Sequence, residues 1–146
     1  MEKGQPVRLH RKGGCGNCRI RSAGMSRRYI FWRNSMPHQK FTACIEACNS
    51  CAVSCNHCAA SCLREPDVAM MARCVALDID CSAICQLAAA AMARGSEHIK
   101  AICALCAEIC ESCAKECGKH PMEHCQLCAR DCRACAEQCR QMSAMA

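Results

Sequence analysis

Nineteen of the 21 cysteines in this 146-residue chain fall between Cys44 and Cys139, and most follow one another at intervals of three and four residues. Cys44, Cys48, Cys51, Cys55, Cys58 and Cys62 form one ladder. Cys103, Cys106, Cys110, Cys113 and Cys117 form a second, and Cys125, Cys128, Cys132, Cys135 and Cys139 repeat its steps. Cys74, Cys81 and Cys85 lie more sparsely between them. The alternation is the seam rhythm of a packed helix, with thiols where leucines usually sit. Neighbours at these spacings have Cβ atoms about 5–6 Å apart, so two sulfurs can reach one ion. Thiolate sulfur selects soft metals, and Cu(I) is soft and content with few ligands. A dry core cannot hold nineteen bare thiolates, because unpaired buried charge is too costly. One Cu(I) per thiolate cancels that charge, and sulfurs bridging two ions give the same ratio. The expected load therefore approaches one Cu(I) per core cysteine, with protons released as thiols become thiolates.

Two other chemistries use cysteine. Structural zinc sites are tetrahedral and commonly pair short C-x-x-C knuckles from two segments. The ladders here are continuous stripes without discrete groups of four, and zinc held by four thiolates would leave excess negative charge in the core. Iron–sulfur ligation is similarly local. A thiol-disulfide redox protein needs one or two exposed cysteines of low pKa, whereas nineteen in phase are alike in kind. A zinc buffer and a redox protein remain the alternatives. Packing alone gives cysteine no advantage over alanine or leucine at so many positions.

The elements that position these thiols can be read from their punctuation. A first helix is predicted from Pro37, suited to a first turn, to Arg64, with Pro66 forbidding continuation. A second runs from Asp67, a plausible N-cap, to Arg94, with Gly95 as its stop. A third runs from Ser96 to Cys117 before Gly118, and a fourth from Pro121 to Met142. Short connections make neighbours antiparallel, so the expected fold is all-α: an up-down-up-down four-helix bundle with a Cys-lined core. The second helix is the thiol-poor wall, with Met71, Asp78, Ala88 and Met92 at seam positions. A buried carboxylate needs a partner. Asp78 is expected to contact copper, to pair with a cation, or to be turned outward by rotation of its helix.

Antiparallel topology gathers Met70, Met71, His120, Met122 and His124 at one end, beside Cys62, Cys117 and Cys125. Imidazole and thioether both bind copper, so this end is read as an access mouth. His38 and His98, with Met92 and Met142, mark a candidate second opening at the other end. His57, between Cys55 and Cys58, should point away from the seam. Ile99, Ile102, Leu105, Ile109, Leu77, Ile84 and Leu87 flank the seam, some of them expected to cover a subunit interface.

Charge divides the chain. Residues 1–35 hold 9 Lys/Arg against 1 Asp/Glu, while residues 36–146 hold 10 against 12. The net +6 thus belongs to a basic, glycine-containing leader expected to be disordered. Residues 36–146 form the cysteine-rich bundle domain. Nothing in the charge of that body predicts nucleic-acid binding, and every apolar stretch is interrupted by charge, so no membrane span is expected. Ser26-Arg27-Arg28 is followed by Tyr29-Ile30-Phe31 and then polar residues, without the apolar region of an export signal. Met25 and Met36 are alternative starts, and Cys15 and Cys18 form a lone C-x-x-C. Same-helix disulfides would be strained, which favours free thiols and a cytoplasmic location. No catalytic constellation or phosphate loop is present, so an enzyme is not expected.

The strings CIEAC (44–48), CNHC (55–58), ICALCAEICESCAKECGKH (102–120), HCQLCA (124–129) and CAEQCR (135–140) resemble the cytosolic branch of the bacterial copper storage proteins. The resemblance covers about residues 37–142. It implies a bundle whose core thiols hold many Cu(I) ions, a homotetramer of such bundles, and storage or detoxification in place of catalysis.

Overall fold

The computed structural model describes residues 37–145. The leader, with Cys15, Cys18 and the alternative starts, lies outside the described residues. A 3-10 turn over Pro37–Phe41 leads into α1 (Thr42–Cys62), followed by α2 (Val68–Arg94), α3 (Ile99–Cys117) and α4 (Glu123–Met145). Among the described residues there is no strand. Each helix packs on two neighbours, α1 on α2 and α4, and α3 on α2 and α4. This is the expected antiparallel four-helix ring.

The sequence signals hold where a backbone group needs a partner. Asp67 caps α2 by accepting the Met70 amide at 3.3 Å, which satisfies one of the donors left free at a helix start. Gly95 ends α2 with φ 66°, a left-handed conformation that glycine adopts without steric penalty. Three helices depart from their expected bounds. The first helix begins as a 3-10 turn and its α-helical part closes at Cys62, before Arg64. Ser96 does not cap α3. Its hydroxyl accepts the His98 amide at 3.2 Å, so its capping capacity is spent within the turn and α3 starts at Ile99. α3 does end at Cys117 before Gly118, but Gly118 has a right-handed φ of −63°, so the helix stops without a left-handed residue. Instead, the Gln126 side-chain amide donates to the carbonyls of His120 at 2.6 Å and Gly118 at 3.4 Å. The last helix is displaced, opening at Glu123 and ending at Met145.

α2 also corrects the membrane expectation. Its 27 residues are long and apolar enough to cross a membrane by length and composition. Its charges are only Arg73, Asp78, Asp80 and Arg94. Half of its most apolar window is buried inside the bundle, with Met71, Cys74, Asp78, Cys81, Cys85, Ala88 and Met92 facing inward. Its apolarity is therefore that of a core helix, reinforced by an alanine-rich outer face.

Polar ties join the helices outside the core. Ser54 of α1 donates to Asp131 of α4, Arg140 of α4 pairs with Glu111 of α3, and Arg73 of α2 reaches Glu116 of α3 at 3.0 Å.

Candidate metal centre

All nineteen bundle cysteines are free thiols, and none is more than 1% exposed. Their inward aim follows from the 3–4 spacing, which keeps each ladder on one helix face. The four faces meet so closely that sulfurs touch across helices. Cys74 and Cys117 are 3.4 Å apart, Cys81 and Cys110 3.5 Å, Cys51 and Cys132 3.6 Å, and Cys48 and Cys139 3.6 Å.

These contacts resolve into groups of four ligand atoms, all within 4.8 Å of one another. They include Cys48, Cys106, Cys135 and Cys139; Cys51, Cys81, Cys85 and Cys110; Cys51, Cys55, Cys81 and Cys132; and Cys55, Cys113, Cys128 and Cys132. The stripes thus do contain quartets, contrary to the reading from sequence. Spacing along one helix could not show them, because each quartet draws on two or more helices. The quartets overlap, however: Cys51, Cys55, Cys81 and Cys132 each serve two of those four. Separate tetrahedral ions could not fill every quartet, while sulfurs that bridge ions could serve them all.

Hydrogen bonds from neighbouring thiols lower Cys48, Cys74 and Cys110, whereas burial raises the outer thiols. It pushes the Cys125 thiol up to about 11 and raises Cys62 as well. The hydrogen bond with Cys139, with burial, pushes Cys103 up to about 12. Taking charge out of water is what holds these outer thiols in their neutral form.

Asp78 is fully buried, which removes the possibility that α2 turns it outward. No cation pairs with it among the described residues. Its partners are the thiols of Cys113 at 3.1 Å, Cys128 at 3.2 Å, Cys117 at 3.4 Å and Cys74 at 3.8 Å. Burial, followed by the neighbouring Cys128, pushes its carboxyl up to about 10. Its oxygens stand among sulfurs from α2, α3 and α4, where an ion held by those sulfurs would also meet oxygen.

The two ends of the bundle differ. Phe41, Met92, Ile99 and Met142 are buried at the end where α2 finishes and α3 begins, and together they form an apolar plug. His98 there is exposed and lies 3.6 Å from Glu97, and the His38 side chain lies outside the described residues. The same end carries a groove lined by Phe41, Gly95 and Ile99. At the other end, His124 Nδ1 lies 3.4 Å from Cys125 Sγ, 3.6 Å from Cys58 Sγ and 3.9 Å from Cys62 Sγ. These four residues form a further cluster of potential ligands. The His120 side chain is mostly buried, and its Nε2 has no hydrogen-bond partner. Met71 is buried in the core, Met122 packs against it, and Met70 is exposed. The expected mouth thus unites His124 with three thiols, holds His120 close by, and leaves Met70 outside.

His57 is exposed, as expected. It lines a side groove of about 210 Å³ with Ser54, His124, Leu127, Cys128 and Asp131. Sequence reasoning missed two groups. Glu65 lies 2.9 Å from His124 Nε2. Glu116 is nearly buried, with its carboxyl held below the usual range by Lys119 at 2.7 Å and then Arg73. Neither belongs to the cysteine rhythm, so no periodic signal could have marked them.

Comparison with known proteins agrees with this geometry. The copper storage protein family matches residues 37–144. An uncharacterized cysteine-rich protein of Bacillus subtilis is 54% identical over 82 residues, covering 56% of this chain and 76% of that protein. Among solved structures, a Cu(I)-bound copper storage protein of Bacillus subtilis is 53% identical with a TM-score of 0.68, covering 70% of this chain and 96% of that one. A cytosolic copper storage protein of Streptomyces lividans, with five coppers, is 35% identical with a TM-score of 0.72, covering 75% and 97%.

Proposed function

The chain belongs to the copper storage protein family, and we propose that it stores Cu(I) in the cytosol on the thiolates of its bundle core. The observation that carries this reading is the overlap of the sulfur quartets. Cys51, Cys55, Cys81 and Cys132 are each shared between groups, which favours a bridged network over isolated ions. Such a network gives a capacity approaching one Cu(I) for each of Cys44, Cys48, Cys51, Cys55, Cys58, Cys62, Cys74, Cys81, Cys85, Cys103, Cys106, Cys110, Cys113, Cys117, Cys125, Cys128, Cys132, Cys135 and Cys139. Asp78 lies within reach of ions held by its four thiol neighbours and serves as an accessory oxygen ligand.

Copper passes through the end that carries His120 and His124, with Met70 and Met122 as outer thioethers and Met71 just inside. The asymmetry of the ends supports this direction, since His124 meets three thiols at one while the apolar Phe41, Met92, Ile99 and Met142 are buried at the other. The role is sequestration without catalysis. Among the described residues no redox pair stands apart at the surface, because every described cysteine is buried. Neither a membrane nor nucleic acid is a partner on this reading. The exposed apolar residues Val53, Ile79, Leu87, Leu105 and Leu127 support assembly into a homotetramer, which light scattering on the eluting protein would test.

The deciding experiment is an anaerobic titration of the reduced full chain with Cu(I) against a chromophoric chelator. A plateau in the high teens per chain is expected, with little copper on the chelator before it. A plateau at four or fewer would overturn the reading.

A further inference from the structure

We propose that Glu65 is a positioning residue for copper capture, holding His124 so that its Nδ1 lone pair converges with the sulfurs of Cys58, Cys62 and Cys125. The inference rests on the mouth assigned above.

A carboxylate can only accept, so at 2.9 Å the hydrogen is on His124 Nε2 and is donated to Glu65 Oε1. In a neutral imidazole the other nitrogen then carries the lone pair. That nitrogen is the one lying 3.4–3.9 Å from the three sulfurs. An arriving Cu(I) would meet one nitrogen and three sulfurs already gathered, and each thiol that ligates it would yield its proton to solvent. Metal-bound histidines commonly depend on such a partner at the far nitrogen, which fixes both tautomer and ring orientation.

Glu65 is itself held. Its amide donates to the Cys62 carbonyl at 3.2 Å, and the Arg64 amide donates to the Ser61 carbonyl at 2.9 Å. The turn is thus tied to the end of the helix that carries Cys58 and Cys62. Pro66 follows directly and restricts the backbone of Glu65. The His124 side chain is 14% exposed and that of Glu65 29%, so the pair sits at the boundary an entering ion must cross.

The test uses the full chain and Cu(I) supplied as its acetonitrile complex, with three variants: Glu65→Ala, Glu65→Gln and His124→Ala. Stopped-flow measurement of the first equivalents should show Glu65→Ala slowed about tenfold, the lower end for loss of an outer-shell partner, with final load unchanged. Glu65→Gln keeps an acceptor without the charge and should stay near the wild-type rate. Long-range proton–nitrogen correlation spectra should show His124 with its hydrogen on Nε2 in the wild type and in Glu65→Gln. In Glu65→Ala that preference should be lost. Wild-type speed in Glu65→Ala beside slow His124→Ala would overturn the role of Glu65 alone. Equal slowing in Glu65→Ala and Glu65→Gln would also overturn it, by assigning the effect to charge. Wild-type speed in both Glu65→Ala and His124→Ala would overturn the mouth as well.

Discussion

Cys113 of α3 donates its thiol hydrogen to Oδ1 of Asp78 on α2 across 3.1 Å, inside a core that leaves the carboxyl no exposed surface. The contact joins the thiol-poor helix to the second cysteine ladder. It also places one carboxyl group among the sulfurs of Cys74, Cys113, Cys117 and Cys128.

The pH dependence of the metal-free protein follows from that burial. The Asp78 carboxyl sits at about 10 in the fold against an ordinary value of 3.8. Between these values the folded chain holds a proton that the unfolded chain has lost. The Asp78 contribution is fully present below the ordinary value and is lost as pH rises through the folded one. Thermal unfolding of the reduced, metal-free chain should therefore show a stability that declines toward alkaline pH. Asp78→Asn, similar in shape and neutral throughout, should flatten that slope. An unchanged slope in the variant would place its origin in the thiols alone.

Shared sulfurs should count for more than peripheral ones. Cys132 lies within 3.6–3.8 Å of the sulfurs of Cys51, Cys55, Cys81 and Cys128. Cys132→Ala should lower the Cu(I) plateau by more than one ion per chain. Cys44, near the plug, contacts Cys139 at 3.8 Å, and Cys44→Ala should lower it by about one on the one-ion-per-thiol ratio. Equal losses in the two variants would argue for independent sites.

Loading should acidify a weakly buffered solution. The outer thiol Cys125 is held protonated by burial at neutral pH, and a ligating thiol must lose its proton. We expect about one proton per Cu(I) over most of the titration, measured by pH-stat. Release far below that would show that many thiols are already ionised before metal arrives.

The apolar plug should govern stability without governing capture. Met92 is fully buried at the closed end. Met92→Ala should cost about 2–5 kcal/mol of metal-free stability, followed by chemical denaturation under reducing conditions. Its Cu(I) capture rate should stay at the wild-type value if ions enter at the far end, as proposed. A faster rate would show that the plugged end also admits copper.

The helices and the thiol core were legible because both depend on short-range rules. Alternating steps of three and four put Cys44 through Cys62 on one face, and Asp67 and Gly95 punctuate α2 through their own backbone chemistry. Ser96 misled because its hydroxyl had a nearer amide to accept, that of His98. Gly118 follows α3 as expected, and the Gln126 side chain ties the turn beyond it.

The sequence by itself determined which residues face inward and that sulfur would dominate the core, since helix periodicity decides both. Only the tertiary structure decided which sulfurs meet. Cys51 and Cys132 are 81 residues apart in the chain and 3.6 Å apart in space, a pairing set by how the helix faces mesh. The same holds for Asp78, whose fate depended on the rotation of α2. It holds equally for Glu65, a turn residue outside every repeat. Its meeting with His124 arises because antiparallel helices bring the α1–α2 turn over the start of α4.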